Sequence, residues 1–251
     1  MCSPGWSRPG DLCHGGAEIW MHRMIVRGLE LFPLFRDIRA GTLAVLASAC
    51  SLRDYADGEP IVSHHDATFD VFFLLEGRAL VSLYSADGQR VDFLELSAGE
   101  MFGEISALDG LPRSASVEAR GACRAAVLPH AQFLALMQQD HGFAAAVARQ
   151  LAAHVRRLTT RVFEFSTMAV RQRLRAELLR LAEKNPTGAD RALIEPMPTH
   201  ADLASRISTH REAVSREMAA LDAQGLVVKQ SRSLLIPSLA RMRPSLQAEG
   251  G

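Results

Sequence analysis

Cysteine is scarce: the 251 residues hold four, Cys2, Cys13, Cys50 and Cys123. None forms a CxxC pair, and none stands at a zinc-like spacing from histidine. Reduced thiols in a cytoplasmic protein are expected, with no metal. No apolar run approaches a membrane span, so no membrane partner is expected. The first twenty residues, MCSPGWSRPGDLCHGGAEIW, lack the apolar core of a signal peptide. They read as a disordered leader, with Met21 or Met24 as an alternative start. A catalytic constellation is also missing. His64-His65 is the one adjacent histidine pair and reads as loop. A nucleotide-hydrolysing enzyme would need clustered His and Asp ligands, so the chain is expected not to be an enzyme.

Net charge is zero, but its distribution is uneven. From Arg149 onward lie 17 of the 28 Lys and Arg and 10 of the 28 Asp and Glu, which leaves 11 against 18 before it. An acidic front and a basic back suggest a two-part molecule whose back half meets a polyanion.

From Asp57 to Leu128 short β segments alternate with turns. EPIVS follows one Asp-Gly, FDVFFLLEG ends at Gly77, ALVSLY runs to Asp87-Gly88, and VDFLEL follows. Asp-Gly between apolar runs is a hairpin signal. SASVEA and CRAAVL complete a barrel or sandwich of short strands. LELFPLF and TLAVLASA, ahead of it, read as short helices.

The stretch FGEISALDGLPRSASV (102–117) interrupts that pattern. GEISAL suits one helical turn, and a helix start beside glycine exposes N–H groups that can hold a phosphate. Arg113 offers a forked cationic donor. Glu104 only accepts, which suits the hydroxyls of a ribose. A surface Glu104–Arg113 ion pair is the plainer alternative. This stretch resembles the phosphate-binding cassette of the cyclic-nucleotide-binding domain. The resemblance implies that Arg113 and Ser114 hold the cyclic phosphate and that Glu104 takes the ribose 2′-hydroxyl. Gly103 then lets the backbone approach, and Ile105 belongs to the same pocket.

Between about Ala131 and Phe165 there is no proline and one glycine, Gly142. Leu151, Val155, Leu158, Val162 and Phe165 recur at spacings of four and three, a heptad seam for a homodimer. One helix over this stretch would span roughly 50 Å. VRQRLRAELLRLAEKN (170–185) is amphipathic and ends at Asn185-Pro186-Thr187-Gly188. Thr199 is a candidate N-cap with Asp202 three residues on. A short helix follows, Ile207-Ser208-Thr209 turns, and Thr209 is placed to cap a second helix that stops at Gly225. GLVVKQ and LLIP form two strands around a Ser-Arg-Ser turn. On the second helix Arg211, Glu212, Ser215 and Arg216 share a polar face, and Val214, Met218 and Leu221 an apolar one. Arginine can read guanine, and glutamate can accept from cytosine.

STHREAVSREM resembles the recognition helix of the CRP/FNR family of transcription regulators, whose order of motifs the chain matches over about residues 29–240. The resemblance implies an α+β fold. Its parts are a leader (1–28), a β-roll that binds a cyclic nucleotide (29–130), a dimerisation helix (131–166), a winged helix-turn-helix (167–241) and a tail (242–251). Arg211, Glu212 and Arg216 stand at the family's base-reading positions. Thr199, Thr209, His210 and Ser215 complete the expected DNA contacts. The family's cyclic AMP receptor carries a Thr-Ser pair that contacts adenine; here Leu158 and Thr159 occupy those places. Ser208 stands where that receptor has glycine.

The expected ligand is cyclic AMP, with cyclic GMP as a second choice. The expected partners are near-palindromic double-stranded DNA, a second copy of the chain and RNA polymerase. A haem-bound gas sensor using His64, His65 or Cys50, and a regulator that binds DNA without ligand, are the alternatives.

Overall fold

The computed structural model describes residues 14–36, 38–84, 90–183 and 188–243, with side chains from residue 22 onward. They fall into two compact units. The first takes in residues up to Leu83 and 94–154; the second takes in 84–93 and the chain from Val155 on.

The first unit opens with helices α1 (His14–Glu30) and α2 (Ala40–Ala49). Strands β1 (Ser51–Tyr55), β2 (Pro60–Val62), β3 (Val71–Tyr84), β4 (Arg90–Ser97) and β5 (Met101–Phe102) follow. Helix α3 (Glu104–Asp109), strand β6 (Ser116–Leu128) and helix α4 (His130–Gln139) come next. Helix α5 (His141–Thr167) continues into the second unit. The strands form one sheet in the order β1-β6-β3-β4, with β2 also on β6 and β5 on β3.

The start of β3, Val71–Leu74, and the end of β6, Ala125–Leu128, are buried on both faces, which is why VFFLL runs apolar without alternating. Val71 and Phe73 pack with the helices, among Ile25, Leu29, Leu46 and Phe133. Their neighbours Phe72 and Leu74 face the interior of the roll, with Leu96, Phe102 and Val127. Each such side chain removed from water contributes roughly 1.5–3 kcal/mol.

Several expectations need correction. Residues 14–28, expected as part of a disordered leader, lie in α1, which begins at His14, and Ile25 and Leu29, one turn apart, are buried. The glycine and proline of the first residues hid that spacing; residues 1–13 lie outside the described ones. LELFPLF is the end of α1 and a single 3-10 turn at Pro33–Phe35. Gly77 does not end a strand, because β3 passes through it with register shifts on β6 at Leu74/Glu76 and Glu76/Arg78. β6 likewise runs through Gly121. Asp87-Gly88 lies outside the described residues. The helix expected over 131–166 is two, parted at Asp140. That carboxylate accepts from the Phe143 N–H at 2.8 Å and from the Thr42 hydroxyl, which starts α5 afresh. The Thr42 hydrogen bond, then that from Phe143, holds the Asp140 carboxyl below its usual range. The 27 residues of α5 span roughly 40 Å.

The second unit contains the end of α5, then α6 (Val170–Glu183), β7 (Ala192–Ile194), α7 (His200–Arg206), α8 (Arg211–Ala223), β8 (Val228–Lys229) and β9 (Leu234–Ile236). The strands order as β7-β9-β8. Leu174, Leu178, Leu203, Val214, Met218, Leu221 and Ile236 share one core. Beside it lies a buried ionic network. Glu177 meets Arg161 at 3.0 Å, Arg180 at 2.9 Å and Arg206 at 3.3 Å. Glu164 meets Arg180 at 2.6 Å, and Arg161 also donates to the Arg206 carbonyl. α5, α6 and the end of α7 are thereby tied together.

Burial alone would raise the Glu177 carboxyl, but Arg180, Arg161 and Arg206 together hold it below the usual carboxylate range. Its contribution to stability is therefore complete above about pH 4.3, the ordinary glutamate value, and is lost as pH falls through the lower folded value. Glu177→Gln should leave the guanidinium groups under-compensated at a cost of about 3–5 kcal/mol. Thermal unfolding of the full chain from pH 7 to pH 3 checks both points: the variant melts earlier at neutral pH, with a flatter acid limb.

Candidate functional site

A cavity of about 100 Å³ opens inside the roll of the first unit. Val62, Val81, Leu94, Leu96, Phe102 and Val117 form its apolar walls, while Gly103, Glu104, Ile105, Ser106, Arg113, Ser114, Ala115 and His154 close it. Five expected residues, Gly103, Glu104, Ile105, Arg113 and Ser114, are thus brought together. Leu158 and Thr159 are not among the lining residues. They lie further along α5 in the second unit, and Thr159 donates its hydroxyl to the Val155 carbonyl at 2.9 Å.

Arg113 organises the cavity. The residue is 2 % exposed, yet it borders the space. Nε donates to Thr68 Oγ1 at 3.0 Å, Nη1 to the Gly103 carbonyl at 2.9 Å, and Nη2 to the Asp70 carbonyl at 2.8 Å. Its own backbone N–H donates to the Asp66 carbonyl, and its carbonyl accepts from the His65 N–H. Burial pushes the guanidinium down from its ordinary value, opposed by Asp70, Asp66 and Glu104. An arginine keeps its charge under such a shift. Of its five N–H groups three are engaged, which leaves two for an anion.

Gly103 sits at φ 86°, just before α3. A Cβ there would stand 2.9 Å from both Arg113 Nη1 and the Asp70 carbonyl. Only glycine lets the chain turn while the arginine passes this close. Glu104, 2 % exposed, is not in a surface ion pair with Arg113. Its Oε1 lies 3.4 Å from His154 Nδ1 on α5. Sequence reasoning missed His154. The available signal was Gln150 four residues earlier, which donates to the Met101 carbonyl at 2.7 Å: two polar residues one turn apart on an inward face.

In the second unit Thr199 is the N-cap expected of it. Its Oγ1 accepts from the Asp202 N–H at 3.1 Å, and the Asp202 carboxylate accepts from the Thr199 N–H at 3.2 Å. The cap of α8, however, is His210 and not Thr209. Thr209 is used by its backbone, which donates to the Ala204 carbonyl within the turn, so α8 starts one residue later than expected. Arg211, Glu212 and Arg216 are exposed, Ser215 is half-buried, and Val214, Met218 and Leu221 are buried. β8 and β9 pair antiparallel as a small wing.

Cys50 lies in the helical core, where burial pushes its thiol up to about 12. His64 and His65 stack on each other at 3.6 Å. Among the described residues, no group of three His, Cys, Asp or Glu is placed to hold a metal. Among them, too, no helix is long and apolar enough to cross a membrane.

Comparison with known proteins finds a match for each unit. A cyclic nucleotide-binding domain matches residues 52–140, and a Crp-like helix-turn-helix domain matches residues 172–244. The chain is therefore a DNA-binding transcription regulator with a cyclic nucleotide-binding domain. It belongs to the CRP/FNR family. It is 25% identical over 195 residues to the cAMP-activated global transcriptional regulator Vfr of Pseudomonas aeruginosa, a match that covers 76% of this chain and 91% of that one. The CRP-family regulator TTHB099 of Thermus thermophilus is 26% identical, with a TM-score of 0.62 over 76% of this chain and 94% of that one. The c-di-GMP responsive regulator CLP of Xanthomonas campestris shares the fold at a TM-score of 0.69 and 18% identity, over 79% and 99% of the two chains.

Ser208 departs from the turn glycine of the family's cyclic AMP receptor and adopts φ 49°. A left-handed conformation costs a side-chain-bearing residue roughly 1–2 kcal/mol, and glycine gives part of that back as lost chain entropy. Ser208→Gly should therefore stabilise the chain by about 1 kcal/mol and raise its melting temperature by a few degrees. Calorimetric melting of both proteins checks this.

Proposed function

We propose that the chain is a homodimeric regulator whose DNA binding is controlled by cyclic AMP. The observation that carries this reading is Arg113, buried beneath the cavity with two N–H groups uncommitted and with Ser114 and Glu104 beside it. A cyclic phosphate offers one negative charge for that fork, and a ribose 2′-hydroxyl can donate to Glu104. Residues 29–130 form the nucleotide domain in this reading, with α1 added to it, and residues 167–241 form the DNA-binding domain.

The choice of adenine rests on Thr159 and on the cAMP-activated relative. Thr159 gives its hydroxyl proton to the Val155 carbonyl and so presents lone pairs. Lone pairs can accept from adenine's amino group but not from guanine's carbonyl. Leu158 adds apolar contact only. Val155, Leu158 and Val162 are 62%, 48% and 64% exposed along one face of α5, which supports pairing with a second copy. Two copies related by a two-fold axis would place their α8 helices one turn of DNA apart, about 34 Å, on a near-palindrome. RNA polymerase is the partner such a regulator would meet, and the cytoplasm its compartment.

Titration calorimetry with cyclic AMP and cyclic GMP tests the ligand. Cyclic AMP should bind more tightly, and Arg113→Leu should weaken it about ten- to a hundred-fold. Unchanged affinity in a folded variant overturns the pocket assignment, and equal DNA affinity with and without nucleotide overturns the control.

Binding-site selection with wild type and Arg211→Ala tests the DNA reading. The wild type should recover half-sites like TGTGA, and the variant should lose preference at one guanine, worth about 1–3 kcal/mol. The same motif with the same preferences from both proteins would remove Arg211 from the base-reading set.

A further inference from the structure

The base-reading face of α8 contains a second, coupled device. Ser215 lies between Arg211, one turn earlier, and Arg216, and its Oγ is 2.7 Å from Nδ1 of His200, the first residue of α7. Two helices thus meet through one hydrogen bond on the side of the unit that carries the arginines. Nε2 of His200 has no hydrogen-bonding partner among the described residues.

The ring sits in cationic surroundings. Burial first, then Lys229 from β8 and Arg211 from α8, push His200 below its ordinary value. On its own helix, Asp202 is engaged by Thr199 and by Arg90. An uncomplexed protein near neutral pH therefore holds this imidazole uncharged. A phosphate that neutralises Lys229 and Arg211 would reverse the balance, because an opposite charge favours the protonated ring.

We propose that His200 and Ser215 form a proton-linked reading pair, in which His200 takes up one proton from solvent as DNA docks and Ser215 changes from acceptor to donor. In the neutral pair, Nδ1 accepts the serine proton, and Oγ presents only lone pairs outward. On protonation both ring nitrogens carry hydrogen. Nδ1–H then donates to Oγ, the serine O–H turns toward the DNA, and Nε2–H faces a phosphate. No covalent bond is made or broken except the N–H formed with the incoming proton. A donor at Ser215 suits guanine O6 or N7, or thymine O4, whereas an acceptor suits the amino groups of cytosine or adenine.

This pair rests on the reading of α8 as the DNA-binding helix, and the test separates the two. The full-length protein, with cyclic AMP held constant, is titrated by calorimetry with the duplex that the wild type selects. Titrations in phosphate and in Tris at each pH from 6 to 8 count the protons taken up. The wild type should take up more protons than His200→Gln, by up to one per subunit. Its affinity should rise by up to tenfold per pH unit for each subunit engaged, up to a hundredfold for the dimer, on acidification, against a flatter profile for the variant. Ser215→Ala, which keeps the ring, should still show uptake but lose preference at one base pair. Matching melting curves establish that the variants are folded. Equal proton uptake in wild type and His200→Gln, with specific DNA binding intact, overturns the pair and leaves the α8 reading standing. Absence of specific binding by the wild type overturns both.

Discussion

The nucleotide domain depends on how one buried cation is satisfied. Arg113 is tied by its side chain to Thr68, Asp70 and Gly103, and by its backbone to His65 and Asp66. Two distant loops and the start of α3 are thereby fixed to one another. A guanidinium left without these partners would pay a large desolvation cost, so the loops cannot relax independently. The same bonds aim the remaining N–H groups, so that positioning and charge are provided by one residue. Gly103 is the steric condition for this arrangement, and the apolar walls keep water from competing for the cation.

The DNA-binding unit is organised differently. Its core is ordinary aliphatic packing, but its ion network passes through three helices. Arg161 alone touches Glu177 on α6 and the last carbonyl of α7. The residue after that helix end is Ile207, fully buried, and the next is the left-handed Ser208. The turn that sets the direction of α8 is thus held on one side by charge and on the other by apolar contact. A displacement of the end of α5 has a direct physical route to that turn, because salt-bridged guanidinium groups move with their partners.

Much of this was legible in the residues. The capping box at Thr199, the stop at Gly225 and the two faces of α8 depend on neighbours within four positions, and such signals survive in a linear reading. The cassette was legible because Gly103, Glu104, Arg113 and Ser114 lie within twelve residues. What escaped was of two kinds. Glycines at Gly77 and Gly121 looked like breaks, although bulged strands pass through them, and SLRDY was missed because its alternation is masked by Arg53 and Asp54. The other kind was contact across large separations. His154 finds Glu104 fifty residues away, and His200 finds Ser215 on another helix; neither pairing leaves a periodic trace.

The two-sided burial of β3 bears on how such a protein can diversify. Phe72 packs on Phe102 and lies beneath the Arg113 guanidinium, whereas Phe73, its neighbour in the chain, packs on Phe32 and Phe35 among the helices. Adjacent codons therefore answer to separate selective demands. Changes at even-numbered positions from Phe72 to Leu74 alter the chamber, and those at Val71 and Phe73 alter the scaffold. Lineages can explore new effector chemistry through one set while the other conserves the framework, with little epistasis between them.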